Sequence, residues 1–307
     1  MPQGSILGPL LFLLYINDLS TVTKLLTFIM FADDTNIFIS GKDLNNITSI
    51  TNTELKNIST WFSANLLSLN IKKTNYILFG NKKHPDISLS INNENIARVY
   101  QTKFLGVIIE SHLKWNAHIT SISNKISKTI GILNKAKHIL ATNHLKMLYR
   151  SLIEPYLNYC CIVWASPVKN SSLETLFKLQ KRSVRTICFA TYRAHSRPLF
   201  NKLAILNIYD LCLTQILTYV YKSINLLHPT HIANYFIPTT DIHPYNTRGH
   251  KHDLYIQIAK KCCRVNSLMC TGPKYWNSLP NSIQAAPSLR IFKKHLKQHI
   301  FSVNSSH

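Results

Sequence analysis

The sequence predicts an α+β unit followed by a mainly α-helical region. Three observations carry this reading. Over residues 1–110, short apolar runs bounded by turn residues alternate with stretches of helical periodicity. Beyond Trp115, apolar residues recur at three- and four-residue spacing, the period of a helix stripe. The charge also steps: residues 1–110 hold 9 Lys and Arg against 8 Asp and Glu, whereas residues 111–307 hold 26 against 5. Such a step marks a change of role along the chain. The expected boundaries are 1–110, 111–228 and 229–307. The last cut falls at a loop from Pro229 to Gly249 that contains Pro238 and Pro244.

The elements follow in order. Pro2-Gln3-Gly4-Ser5 reads as a turn that opens a buried helix near Leu7. The apolar run Ile6 to Ile16 is too short to span a bilayer, which takes about 20 residues. No Lys or Arg precedes it, as a signal peptide would require. Leu25 to Phe31 and Thr35 to Ile39 read as two strands, with Ala32-Asp33-Asp34 at the turn between them. A helix is expected from Asp43 to about Leu67, with Leu55, Ile58 and Trp61 on its apolar face. Tyr76 to Phe79 reads as a buried strand ending at Gly80-Asn81. Ile87 to Ile91 alternates apolar with polar and turns at Asn92-Asn93-Glu94-Asn95, and Phe104 to Ile109 reads as a further strand around one antiparallel sheet.

The helical region begins after Trp115. Ile119, Ile122, Ile126, Ile130 and Leu133 form one stripe, and Lys125, Lys128 and Lys135 fall on the other side. A second helix spans Asn143 to Ile153 and stops before Pro155, because the residue ahead of a proline disfavours the helical conformation. A third runs from Ser172 to Ile187, with Leu173, Leu176, Phe177, Val184 and Ile187 as its apolar face. On it, Lys178, Lys181, Arg182 and Arg185 share about a quarter of the circumference at ~100° per residue. Further helices are expected at Leu211 to Leu227 and Leu289 to Val303.

The chain has 307 residues, a formal net charge of +22 and 46% hydrophobic residues, which fits globular cores carrying a cationic surface. The +21 balance beyond residue 110 implies a polyanionic partner, nucleic acid before an anionic membrane. No helix carries the Trp and Phe belt that a membrane surface would favour. No membrane partner or transmembrane segment is therefore expected. The seven cysteines are odd in number and form no C-x-x-C pair, so they read as reduced thiols of an intracellular protein of the nucleus or cytoplasm. A zinc site gathered from His250, His252, Cys262, Cys263 and Cys270 is the metal alternative, without a standard ligand spacing.

Asp33 and Asp34 carry the sharpest chemical signal. Aspartates suit turns because their side chains bond nearby backbone N–H groups. Two carboxylates on one turn also supply the hard oxygens that Mg²⁺ takes, and phosphoryl transfer uses such metals beside the attacking and leaving oxygens.

Their context decides between these. In order come Pro2-Gln3-Gly4-Ser5 with the run to Phe12, then Ala32-Asp33-Asp34, Asn70 to Thr74, and Phe104-Leu105-Gly106. This series resembles the palm of reverse transcriptases of non-LTR (LINE-type, jockey-like) retrotransposons. Trp115, His118-Ile119, Pro155-Tyr156-Leu157, Tyr159-Cys160 and Val163-Trp164 resemble the start of that family's thumb. Gly272 to Pro280 and Ser288 to Lys293 resemble its C-terminal tail. The resemblance implies a partial polymerase palm, then a helical thumb and tail. It implies an RNA template and a DNA primer or target as partners, and Mg²⁺ as cofactor. Asp33 and Asp34 would be catalytic metal ligands, and Lys73 a cation or proton donor at the departing pyrophosphate. Pro2, Gln3, Gly4 and Ser5 would position template and nucleotide. Phe104, Leu105 and Gly106 would form the primer grip, and Lys125, Lys128, Lys178, Lys181, Arg182 and Arg185 would contact phosphates.

In that family another aspartate, on a strand upstream of the Pro-Gln-Gly-Ser loop, completes the metal site. Here the loop starts at residue 2, and Glu110 stands where the family more often has Asp. A truncated polymerase, inactive alone, is the expectation. The alternative is a non-catalytic basic RNA- or DNA-binding protein.

Overall fold

The computed structural model describes residues 5–80, 85–168, 171–229, 232, 235–242, 253–259 and 262–305. It divides into two compact units, Met1–Thr102 with Glu110–His112, and Lys103–Ile109 with Leu113–His307. The architecture mixes helix and strand, as the α+β reading requires.

In the first unit, helix α1 (Leu7–Ile16) runs into a 3-10 turn, Asn17–Thr21; contrary to the buried helix expected there, only its last residue, Ile16, is buried. Strands β1 (Thr27–Phe31) and β2 (Asp34–Phe38) pair antiparallel, with Phe31 opposite Asp34. Helix α2 (Leu44–Ala64) starts at Asp43, whose carboxylate accepts from the backbone N–H groups of Asn45 and Asn46 at 3.1 and 3.3 Å. These are donors a helix N-terminus otherwise leaves open. α2 feeds two small cores: Ile58 packs with Ile16, Leu19 and Leu26, and Leu55 with Leu89, Ile91 and Ile96. Its Asn52 brackets the strand beside it, donating to the Ser88 carbonyl and accepting from the Ser90 N–H, both at 3.0 Å.

That strand, β4 (Ser90–Ile91), turns through Asn92 and Asn93 into β5 (Glu94–Asn95). Both asparagines take positive φ, +50 and +65°, a conformation asparagine tolerates in hairpin turns. In place of one antiparallel sheet, the described residues form four separate two-stranded sheets. One of them is parallel, β3 (Asn75–Tyr76) with β6 (Ala97–Arg98). The run Tyr76 to Phe79 pairs only through its first residue, and Phe79 is about half exposed. The expected strand Phe104 to Ile109 is instead a hairpin, β7 (Gln101–Phe104) and β8 (Val107–Glu110). Leu105 at φ +44° and Gly106 at φ +85° reverse the chain there.

The second unit is helical: α3 (Asn116–Ala136), α4 (Thr142–Leu152), α5 (Glu154–Asn158), α6 (Cys161–Trp164), α7 (Ser171–Ile187), α8 (Ser196–Leu203) and α9 (Ile208–Ile224). The isoleucine stripe of α3 is buried along its whole length, as are Leu173, Leu176, Val184 and Ile187 of α7. Ser172 donates to Asn116 at 2.8 Å at one end of this pair, and Thr186 to Asn134 at 3.2 Å at the other. The two helices therefore run in the same direction. The short α5 holds Pro155 in its first turn, where its missing N–H costs no helix bond.

Gln180 is buried in the middle of α7. Its amide donates to the Tyr149 hydroxyl at 2.8 Å and to the Leu206 carbonyl at 2.9 Å, and its oxygen accepts from the Ile208 N–H at 2.9 Å. One side chain thus ties α4, α7 and the start of α9. Past its midpoint α9 joins a second core, where the Tyr221 and Phe292 rings stack 4.4 Å apart beside Trp276. That core includes the helix Leu268–Asn277, which accommodates Pro273, and the helix Leu289–Ser305.

Gln180→Ala leaves two backbone groups and a buried hydroxyl without their partner. It is expected to lower the unfolding free energy by about 3 kcal/mol, and Tyr149→Phe by about 1 kcal/mol. Urea denaturation followed by tryptophan fluorescence reads both values. Equal losses would show that the two backbone bonds contribute nothing.

Candidate functional site

The turn between β1 and β2 presents both aspartates. Ala32 adopts φ +52°, a left-handed conformation that costs a non-glycine residue about 1–2 kcal/mol. Asp33 completes the turn and Asp34 begins β2. Both are exposed, and among the described residues neither has an ion-pair partner. Two exposed carboxylates in water repel by only about 1 kcal/mol at contact distance, so the turn holds them side by side without a buried counter-charge.

Towards Mg²⁺ the turn offers two carboxylates. That ion takes a six-oxygen octahedral shell, usually with one or two carboxylates and the rest from substrate phosphates and water. Among the described residues no three His, Cys, Asp or Glu side chains gather in a metal-holding group. Asp33 and Asp34 are therefore joined by no third such side chain among the described residues.

The other sequence-named residues are distributed as follows. Pro2, Gln3 and Gly4 lie outside the described residues, and Ser5 is half-buried just ahead of α1. Lys73 is exposed at the end of the 3-10 turn Ile71–Lys73, where the Asn70 side chain accepts from its backbone N–H at 3.3 Å. Its ammonium has no hydrogen bond or ion pair with either aspartate among the described residues. His250 and His252 lie outside the described residues, and nothing describes the side chains of Cys262 and Cys263. Cys270 is buried, with its thiol 3.6 Å from the Gln257 carbonyl. Cys160, Cys161, Cys188, Cys212 and Cys270 are free thiols.

Phe104, Leu105 and Gly106 form the tip of the β7–β8 hairpin. Two residues to which the sequence assigned no role hold it in place. The Tyr159 hydroxyl donates to the Leu105 carbonyl at 2.6 Å, and its ring lies where a Cβ on Gly106 would approach to 3.2 Å. Buried His118 accepts from the Ile108 N–H through Nδ1 at 3.3 Å and meets Trp164 edge-on. Their only sequence signal was their place in the thumb-like run.

The cations fall into two classes. Lys125, Lys128, Lys178 and Arg182 are exposed, with the Lys125 ammonium over the Tyr156 ring at 5.2 Å. Lys181 is engaged by Glu174 at 3.7 Å and by the Phe177 ring at 3.8 Å. Arg185 donates from Nε to the Ala194 carbonyl at 2.9 Å and faces the Tyr192 ring at 5.9 Å. The stripe on α7 is thus half free and half held. Among the described residues no single helix is long and apolar enough to cross a membrane. The one bent pair with the length, α8 and α9, buries most of its apolar residues inside the unit.

Residues 1–109 match the family "Reverse transcriptase (RNA-dependent DNA polymerase)". The chain is 25% identical over 274 residues to the "RNA-directed DNA polymerase from mobile element jockey" of Drosophila melanogaster, covering 83% of this chain and 29% of that protein. It is 23% identical over 218 residues to the "Probable RNA-directed DNA polymerase from transposon X-element" of the same species, covering 68% and 24%. It is 24% identical over 211 residues to the "Retrovirus-related Pol polyprotein from type-1 retrotransposable element R1 2" of Nasonia vitripennis, covering 64% and 50%. The chain spans about a quarter of the length of the first two of these relatives. No solved structure matches it.

His118 gives the hairpin support a pH signature. Burial, and then the Lys125 charge, hold its pKa below 6.5 in the folded chain. Above pH 6.5 both folded and unfolded states are neutral. As pH falls below 6.5 the unfolded state takes up the proton first. Stability therefore declines by up to about 1.4 kcal/mol per pH unit until the folded pKa is passed. His118→Asn, whose oxygen replaces Nδ1 as acceptor, is expected to flatten this component in thermal melts from pH 7.5 to 5. An unchanged pH profile would assign the acid sensitivity elsewhere.

Proposed function

We propose that this chain is a C-terminal portion of the RNA-directed DNA polymerase of a non-LTR retrotransposon: part of a palm in residues 1–110, a helical thumb in 111–228 and a basic tail in 229–307. The observation that carries the reading is the exposed Asp33-Asp34 turn on a β-hairpin, inside the stretch that matches the reverse transcriptase family. In this reading Asp33 and Asp34 face the reacting phosphates, with Mg²⁺ supplied at that turn when the site is complete. The β7–β8 tip, braced by Tyr159 and His118, rests against the primer end. Lys125, Lys128, Lys178 and Arg182 line the path of the template–primer backbone, where cations displace counterions.

That no third carboxylate joins Asp33 and Asp34 among the described residues supports a chain that does not polymerise alone. So does the apolar face of α1, on which Leu7, Leu10, Leu11 and Leu14 are exposed to between 44 and 67%. In this reading a further polymerase portion would cover that face and supply another aspartate. A second reading, a nucleic-acid-binding protein without catalysis, draws on the charge step at residue 110. It shares the thumb assignment and differs only at the aspartates.

Primer extension separates the two. Residues 1–307 with Mg²⁺ and a primed RNA template are expected to give background incorporation. Supplying the upstream polymerase portion of a jockey-type element should restore extension, and Asp33→Ala should abolish it again. Failure of the supplemented enzyme would favour the binding protein. Extension by residues 1–307 alone, lost in Asp33→Ala, would show that the carboxylate set is already complete.

Binding is tested independently. The full chain should bind RNA and DNA with an affinity that falls steeply with salt. Lys125→Ala, Lys128→Ala and Lys178→Ala should each weaken all sequences about equally and reduce the salt slope by about 1. Lys181→Ala, whose charge Glu174 already engages, should do less. Salt-independent binding would refute the phosphate-contact assignment.

A further inference from the structure

Because α3 and α7 run in the same direction, their C-terminal ends lie together, joined by the Thr186–Asn134 hydrogen bond. A cleft of about 300 Å³ opens beside this contact. Its lining includes Lys137, Arg182, Arg185, Phe189 and Tyr192, and no carboxylate. The cations are not there to cap α7. The chain closes that helix with its own backbone, the Ala190 N–H donating to the Arg185 carbonyl at 3.0 Å and the Phe189 N–H to the Thr186 carbonyl at 3.3 Å. The two helix C-termini contribute roughly half a negative charge each, about −1 in all. Three cations outweigh that, so the cleft is left positive by about two charges and takes an anion.

The rings indicate which anion. Phe189 and Tyr192 are 57 and 84% exposed, so most of each ring beside the cations is open to a ligand. Arg185, fixed through Nε by the Ala194 carbonyl, stands against the Tyr192 ring and stiffens that wall. Exposed rings next to cations are how proteins hold single strands: phosphate on the charges, base on the ring. A duplex keeps its base faces stacked inside and offers phosphates and base edges, with no free face for a ring.

We infer that this cleft seats one unpaired nucleotide of a single-stranded nucleic acid, its phosphate between Lys137 and Arg182 and its base on Tyr192. The inference rests on the nucleic-acid-binding part of the reading above and extends it: cations elsewhere on the unit would contact any polyanion, whereas this cleft selects a single strand. RNA and DNA share the required chemistry.

The test is fluorescence anisotropy of the full chain with three labelled probes: oligo(U), oligo(dT) and a mixed-sequence DNA duplex of equal length. Tyr192→Ala is expected to weaken single-strand binding roughly tenfold and leave duplex binding within about twofold. Arg182→Gln should weaken single-strand binding and reduce the salt slope by about 1. Tyr192 is exposed enough that its replacement leaves the fold intact, which a thermal melt verifies. Loss on oligo(U) alone identifies the strand as RNA, and loss on both single strands identifies the shared chemistry. Either supports the site. Equal loss on duplex and single strand, or no loss from either variant, overturns the site while general binding stands. No binding of the wild-type chain to any probe overturns the reading on which the site rests.

Discussion

A neutral carboxamide bracketing a stretch of backbone is the interaction on which both units depend. Gln180 accepts from the first N–H of α9 and donates to the carbonyl two residues earlier. Asn52 does the same across Ser88 and Ser90 in the first unit. Asn277 donates to the Leu254 carbonyl at 2.8 Å and accepts from the Leu254 N–H at 2.9 Å. An amide alone among side chains offers donor and acceptor side by side without charge, so it can replace a missing strand or turn partner. Each bracket sits where a helix passes an irregular segment whose backbone groups would otherwise be stranded. Leu206 follows the end of α8, Ser88 precedes a two-residue strand, and Leu254 lies in an extended stretch. Without the brackets, each of these segments would carry unpaired polar groups against an apolar neighbour.

The brackets explain how short elements persist in this chain. β4 has two residues and cannot hold its register alone. It is fixed on one side by Asn52 and at its turn by Ser59, whose hydroxyl donates to the Asn92 side chain at 2.7 Å. α2 thereby serves as spine, core donor and strand partner together. The same economy recurs at α9, whose first half closes the core under α3 and α7 and whose second half opens the core of the C-terminal helices.

What was legible in the sequence follows from this division. The α3 stripe, the aspartate hairpin and the Asn92-Asn93 turn were readable because each is a local, periodic or turn-chemical signal. Periodicity alone read Phe104 to Ile109 as one strand because the run is almost continuously apolar, whereas the family resemblance of Phe104-Leu105-Gly106 to a primer-grip hairpin pointed to the reversal. The helix around Pro273 was missed because proline reads as a breaker, although a tertiary contact can override it. There, Gly272 packs so closely on Val220 and Phe236 that a Cβ would approach both to 3.0 Å. Gln180 and Asn52 were invisible because a lone amide on a helix face reads as solvated surface. At the candidate site the pattern repeats. The aspartates were named from motif and turn chemistry, whereas Tyr159 acts on Leu105 across 54 residues and His118 on Ile108 across the turn into α3, contacts no local pattern marks. The pairing of Lys181 with Glu174, two helical turns apart, also escaped, since the four cations were read as one stripe.

Building the polar framework from amides has a consequence for function. Ion pairs weaken as salt rises, whereas hydrogen bonds between neutral groups hardly respond. In this chain the brackets in both units are neutral, and α7 carries one acid, Glu174, against four cations. The fold therefore does not use most of its positive charge for its own cohesion. That charge instead raises the free energy of the compact chain through self-repulsion. In the proposed reading, a phosphate backbone would relieve that repulsion while the amide framework stays unchanged. Scaffold and proposed binding surface thus differ chemically even where they share a helix, as Gln180 and Arg182 do on α7, and salt should act on one while leaving the other in place.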